Sequence, residues 1–190
     1  MYNDVNIEKT LKKGGIVVMP TDTIYGIVGS ALNKGVVERI YKIRRRAIDK
    51  PCIILISGLS ELKKFSIILS KKQEEKIKEY WPSDFFQNFR PTSIILDCVD
   101  ENFSYLHRGT QTLAFRVPFS KELQNLLIKT GPLIAPSANP AALAPAEDIL
   151  EAKRYFGNTV ALYLDGGRVK GEASTIVRLY PDASVSILRV

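Results

Sequence analysis

The chain has 190 residues, 45% hydrophobic and 25% charged, which places it at the upper end of one ordinary globular domain able to bury a sizeable core. Its 27 basic and 20 acidic residues give a net charge of +7, a field that favours nucleotides or RNA, although a solvated Lys-rich surface carries the same sign. No apolar run reaches the ~18 residues of a membrane span and MYNDVNIEKTLKKGG lacks a signal-peptide core, so a cytoplasmic protein is expected.

Asn3 or Asp4 is placed to cap a first helix ending at Gly14-Gly15. A strand IVVMP, a strand GIVGSA and a helix from about Asn33 to Arg45 follow. Cys52 opens a strand CIILI, and Cys98 lies in a second apolar run. Two buried thiols in a reducing compartment fit this pattern better than a disulfide. Next come a Lys/Glu-rich helix from about Ser70 to Tyr80, the aperiodic WPSDFFQNFRP read as a packed loop, and strands TSIIL and TLAFRVP. His107, the only histidine, is expected in a loop between these two strands and excludes a zinc site. A helix from Lys121 to Lys129, a strand PLIAP, a helix EDILEAKRYFG and strands near VALYL, STIVRL and VSILRV complete the chain. Asp165-Gly166-Gly167 has hairpin chemistry. The alternation predicts a single α/β (α+β) domain over 1–190, with a mixed sheet flanked by helices.

Neither GxxxxGK[ST] nor a strand-following GxGxxG occurs, so a phosphate site must be assembled from turns and basic residues. Thr21, Asp22, Thr23 and Tyr25 follow the strand IVVM at its carboxyl end, where open α/β sheets collect ligands, although an Asx-type turn would use the same groups. Arg44-Arg45-Arg46 and Lys50 lie at a helix C-terminus, which favours cations by ~0.3–1 kcal/mol, but three successive arginines exceed that need. They point in different directions, so at most two serve one phosphate chain. Pro136-Ser137-Ala138-Asn139 delivers two polar side chains from a short strand. Thr112, Ala114 and Arg116 share one strand face, and a buried Arg116 requires an anionic partner from protein or ligand. With one histidine and no acid pair, catalysis rests on positioning and charge stabilisation.

Taken in order, GGIVVMPTDTIYGIVGSA, IYKIRRRAIDKPCIILI, TSIIL, TLAFRVP, GPLIAPSAN, DGG and STIVRL resemble the YrdC/TsaC family from about Gly14 to Arg189. The resemblance implies a twisted sheet with a concave basic groove. It also implies synthesis of threonylcarbamoyl-AMP: bicarbonate condenses with the L-threonine amine, and the carbamate attacks the α-phosphate of ATP with loss of pyrophosphate. Partner enzymes would then carry the group to tRNA, and Mg2+ is expected with the triphosphate.

The resemblance assigns catalysis to Arg44, Arg46 and Lys50, counted back from Pro51, although Lys42 with Arg44 spells the same Lys-x-Arg. L-Threonine would meet Thr21, Thr23, Tyr25, Arg116, Ser137 and Ser174. ATP would meet Arg46, Lys50, Thr112, Asn139 and Arg189. The chain departs from the family at Arg44 for lysine, Ala47 for proline, Ala141-Ala142 for Ser-Gly, and in the longer WP loop. Two rivals are a non-enzymatic module holding double-stranded RNA or tRNA by its backbone, and a carbamoyl-adenylating domain of hydrogenase maturation, which normally accompanies further domains.

Overall fold

A computed structural model describes residues 5–47, 49–82 and 90–190. The candidate caps Asn3 and Asp4, Ile48 and most of the WP loop lie outside the described residues. Helix α1 (Val5–Lys12) leads into β1 (Val17–Pro20) and β2 (Tyr25–Ser30), then α2 (Lys34–Arg44) and β3 (Ile53–Leu55). After a 3-10 helix at Leu59–Phe65 come α3 (Lys71–Lys78), β4 (Thr92–Asp97), the one-turn α4 (Ser104–His107) and β5 (Thr112–Arg116). The chain ends with α5 (Lys121–Thr130), β6 (Leu133–Ile134), α6 (Ile149–Phe156), β7 (Leu162–Tyr163), β8 (Thr175–Leu179) and β9 (Val185–Arg189).

Local chemistry explains most of these boundaries. Asn33, Ser70 and Ser120 each accept a backbone N–H from the first turn of α2, α3 and α5, and Gln73 completes a capping box at Ser70. The 3-10 helix at Leu59–Phe65 has no 3.6-residue period to announce it. It buries Leu62 and Phe65, whose spacing of three matches its own pitch.

The strand order is β7-β1-β2-β6-β3-β5-β4-β8-β9. Three pairs are parallel (β1/β7, β3/β5 and β4/β8) and the rest antiparallel, giving the mixed sheet that the sequence pattern predicts. Alternation along β1 divides the core. Val17 and Met19 pack with Ile7 and Leu11 of α1 and with Leu123, Leu126 and Leu127 of α5. Val18 joins Val36, Val37 and Ile40 of α2, Ile77 of α3 and Phe156 of α6 on the other face. No helix of the described residues is long and apolar enough to cross a membrane.

Two sequence expectations need correction here. His107 is not in a loop: it closes α4 and is buried, its Nδ1 accepting from Gly109 N–H at 3.1 Å. Asp165-Gly166-Gly167 makes no hairpin, because β7 pairs in parallel with β1. Asp165 instead accepts the Gly167 N–H at 2.9 Å in an Asx-type bond.

Ala142 has φ +70°, a region that costs an L-residue roughly 1–2 kcal/mol. The resemblance puts glycine here, so Ala142→Gly is expected to stabilise the protein. Part of the relief is lost to glycine's larger unfolded-state entropy, leaving a net gain of up to about 1 kcal/mol and a thermal midpoint higher by ~2–4 °C in calorimetry.

Candidate functional site

The topology sets β6 between β2 and β3, and this brings three distant segments together. The β1–β2 hairpin closes on Thr21–Ile24, where the Thr21 hydroxyl donates to Ile24 O at 2.8 Å and lies 3.0 Å from the Thr23 hydroxyl. Beyond β6 the chain continues along β2: Ile27 N–H donates to Pro136 O and Ala138 N–H to Tyr25 O, so Ser137 stands beside that hairpin. The C-terminus of α2 locks onto the same segment, with Ala141 N–H donating to Arg44 O at 2.7 Å.

The resulting cavity is lined by Thr21, Thr23, Tyr25, Arg44, Arg46, Arg116, Ser137, Ser174 and Arg189, among others. Four arginines therefore line one space. No carboxylate lines it among the described residues.

Arg44 is 3% exposed. Its Nε donates to Asn139 O (2.9 Å) and its Nη2 to Ser137 Oγ and Asn139 Oδ1 (both 3.1 Å). Its Nη1 is buried with no partner. Burial, with a smaller push from the Arg46 charge, brings this guanidinium down to about 10. Holding it charged there costs on the order of 3 kcal/mol, which an incoming anion would offset. Arg46 extends from the loop after α2 and donates to Lys50 O (3.0 Å) and Pro51 O (2.9 Å), tying that loop down. Arg45, left-handed at the helix C-cap, points away into an outer cleft with Lys42 and Arg108. The cavity-facing pair is thus Arg44 with Arg46, not Lys42 with Arg44.

On the opposite wall, Arg116 meets its anion inside the protein. Its Nη2 donates to Asp22 Oδ1 at 2.8 Å with both side chains 5% exposed, and it touches the Thr21 and Thr23 hydroxyls at 3.5 and 3.3 Å. Asp22 Oδ2 also accepts Phe119 N–H. Of the two sources that burial of Arg116 allows, protein or ligand, the protein supplies one in this carboxylate. The Arg116 Nε remains buried and unpaired. Arg189 donates through Nε and Nη2 to Ser174 O at 3.1 and 2.7 Å. Burial, then the Arg116 charge, lowers its pKa, so the two cations lie within each other's field.

A strap over 164–174 runs past the cavity. The buried Tyr25 hydroxyl donates to Gly167 O (2.8 Å) and accepts Gly166 N–H (2.9 Å), so the phenol of this lining residue holds the strap. Gly171 crosses Thr23 so closely that a Cβ would fall 1.8 Å from Thr23 O.

Three residues singled out in the sequence do not line the cavity. Lys50 is exposed, and its carbonyl serves Tyr41 and Arg46. Thr112 sits at the far end of β5, about 13 Å from Arg116 by strand rise, and bonds Thr110. Asn139 spends its amide on Arg44, Pro140 and Leu143. Asp22 was visible in the sequence as part of PTDT, but only the fold reveals its pairing. Among the described residues no group of three or more His, Cys, Asp and Glu could hold a metal ion.

A family model named Sua5/YciO/YrdC, with the description Telomere recombination, matches residues 9–190. Threonylcarbamoyl-AMP synthase of Bacillus subtilis is 28% identical over 178 residues, which cover 92% of this chain and 49% of the relative. The protein of the same name from Coxiella burnetii is 28% identical over 160 residues, covering 83% and 82%. A crystal structure of Pyrococcus abyssi Sua5 complexed with L-threonine superposes with TM-score 0.79 and 25% identity over 97% of this chain and 52% of that one. The chain thus spans about half the length of the Bacillus and Pyrococcus relatives.

Proposed function

The chain belongs to the Sua5/YciO/YrdC family, and on that footing we propose that it forms threonylcarbamoyl-AMP and pyrophosphate from L-threonine, bicarbonate and ATP, for the threonylcarbamoyl modification of tRNA. The observation that carries this reading is the cavity itself: four arginines, two of them buried with unpaired nitrogens, and no lining acid among the described residues.

Arg116 and Ser174 would take the L-threonine carboxylate, with the Thr21 and Thr23 hydroxyls beside it. Arg44, Arg46 and Ser137 would take the carbamate and the phosphate it attacks, and Arg189 the nucleotide. Lys50, Thr112 and Asn139 are not assigned a ligand. Condensation of the L-threonine amine with bicarbonate releases water, and because the resulting carbamate oxygen is already anionic its attack on phosphorus requires no general base. Fixed donors would stabilise the charge that grows on the phosphoryl oxygens, and the walls would position nucleophile and phosphorus for attack. The described residues offer no acidic cluster for magnesium, which would enter as the counter-ion of the triphosphate substrate.

The test is pyrophosphate release from ATP with L-threonine or bicarbonate left out in turn. Both omissions are expected to abolish it. Release that ignores L-threonine would sink the proposal. The outer cleft holding Lys42, Arg45, Arg46 and Arg108 beside Glu38 supports RNA backbone contact as the second reading. RNA binding with a steep salt dependence and no turnover would favour that module instead.

A further inference from the structure

Ser93 carries no role so far, yet it occupies a decisive position behind the cavity. It lies on β4 opposite Ile176 of β8, so the two share a sheet face, and Ile176 lines the cavity. Ser93 is 0% exposed and Ser174 2%, and their hydroxyl oxygens stand 2.8 Å apart. Ser174 reaches the cavity and Ser93 does not.

Either hydroxyl could donate on distance alone, but burial decides between them. Ser93 is sealed from water, and among the described residues its side chain has one hydrogen-bond partner, Ser174 Oγ. If Ser174 donated, the Ser93 proton would be left without an acceptor in the interior, a heavily penalised state. Ser93 must therefore donate and Ser174 accept. The proton of Ser174 is then turned away from Ser93 and towards the cavity, where Arg116 and Arg189 also present N–H groups.

We infer that Ser93 is a positioning residue that makes Ser174 a hydrogen-bond donor, tuning that wall for an anionic group, the L-threonine carboxylate. The inference rests on the proposed function and specifies the polarity of its amino-acid subsite. It also explains why a fully buried serine stands at the head of the apolar run of β4: valine there would leave Ser174 free to rotate and present a lone pair to the carboxylate.

The experiment measures L-threonine binding by calorimetry alongside pyrophosphate release in Ser93→Ala, Ser93→Thr and Ser174→Ala. Ser93→Ala is expected to weaken L-threonine about tenfold, in both affinity and KM, with the KM for ATP unchanged. Ser93→Thr, which keeps the hydroxyl, restores it. The double variant Ser93→Ala/Ser174→Ala is no worse than Ser174→Ala alone, because the two act as one unit. Unchanged L-threonine affinity in Ser93→Ala, an equal loss for ATP, or additive losses in the double variant would each overturn the inference while leaving the proposed function standing. A wild-type protein that binds no L-threonine at all overturns both. A wild type that binds L-threonine but releases no pyrophosphate sinks only the synthase assignment, and the affinities still judge Ser93.

Discussion

Replacing Arg116 with methionine is expected to cost about 3–5 kcal/mol of folding stability, the loss typical when one member of a buried ion pair is removed. Asp22 would stay in place, 5% exposed, with Phe119 N–H still donating to it and no other ion pair among the described residues. A urea titration should show a lower midpoint at unchanged slope. The double variant Asp22→Asn/Arg116→Met is the sharper measurement. Neutralising both partners removes the orphaned charge and is expected to recover half or more of the loss. L-Threonine-dependent pyrophosphate release stays abolished, because the proposed carboxylate anchor is gone. Recovery of activity together with stability would show that Arg116 serves only the fold.

Arg44→Ala reverses that balance: a large loss of turnover with little loss of stability. Truncation removes a charge whose burial is costly, and it also strips donors from Asn139 O, Asn139 Oδ1 and Ser137 Oγ. These effects oppose one another, so the unfolding midpoint should move by no more than ~2 kcal/mol equivalent. Turnover is expected to fall about 10²–10³-fold, as when one preorganised donor to a developing oxyanion is deleted. Arg44→Lys tests the chain's departure from the family residue. An ammonium keeps the charge but cannot span three acceptors fixed by a planar fork, so an intermediate loss of about tenfold is expected in pyrophosphate release. Activity equal to wild type in Arg44→Lys would mean that charge alone matters at this position.

These two arginines show where sequence reasoning reached and where it stopped. The strand face of Thr112, Ala114 and Arg116 makes burial of Arg116 legible, and burial in turn demands an anion. Naming Asp22 as that anion needs the β1–β2 turn to be folded against the end of β5, which no local pattern encodes. Helices with side-chain caps at Asn33, Ser70 and Ser120 fall where their caps and periods put them. The 3-10 helix at Leu59–Phe65 and the one-turn α4 were missed because neither is long enough to show a period of 3.6 residues. Polar groups that resemble ligand contacts by residue type divide once packed. Tyr25 and Asn139 turn inward to hold the strap and the loop after Ser137, whereas Ser137 and Ser174 keep a side towards the cavity.

The strand order has a kinetic consequence. Arg44 and Arg46 precede β3, Arg116 ends β5, and Arg189 ends β9 at the sheet edge, so the four arginines meet only when pairings between distant parts of the chain are complete. Long-range pairings of this kind are slow to find, and here they also bring together Arg44, Arg46 and Arg189, with Asp22 answering only the charge of Arg116. Small oxyanions that occupy the cavity should therefore stabilise the folded state. Phosphate or sulfate, binding the native state alone, would raise the unfolding midpoint with concentration by the usual mass-action relation, and mainly by slowing escape from the finished fold.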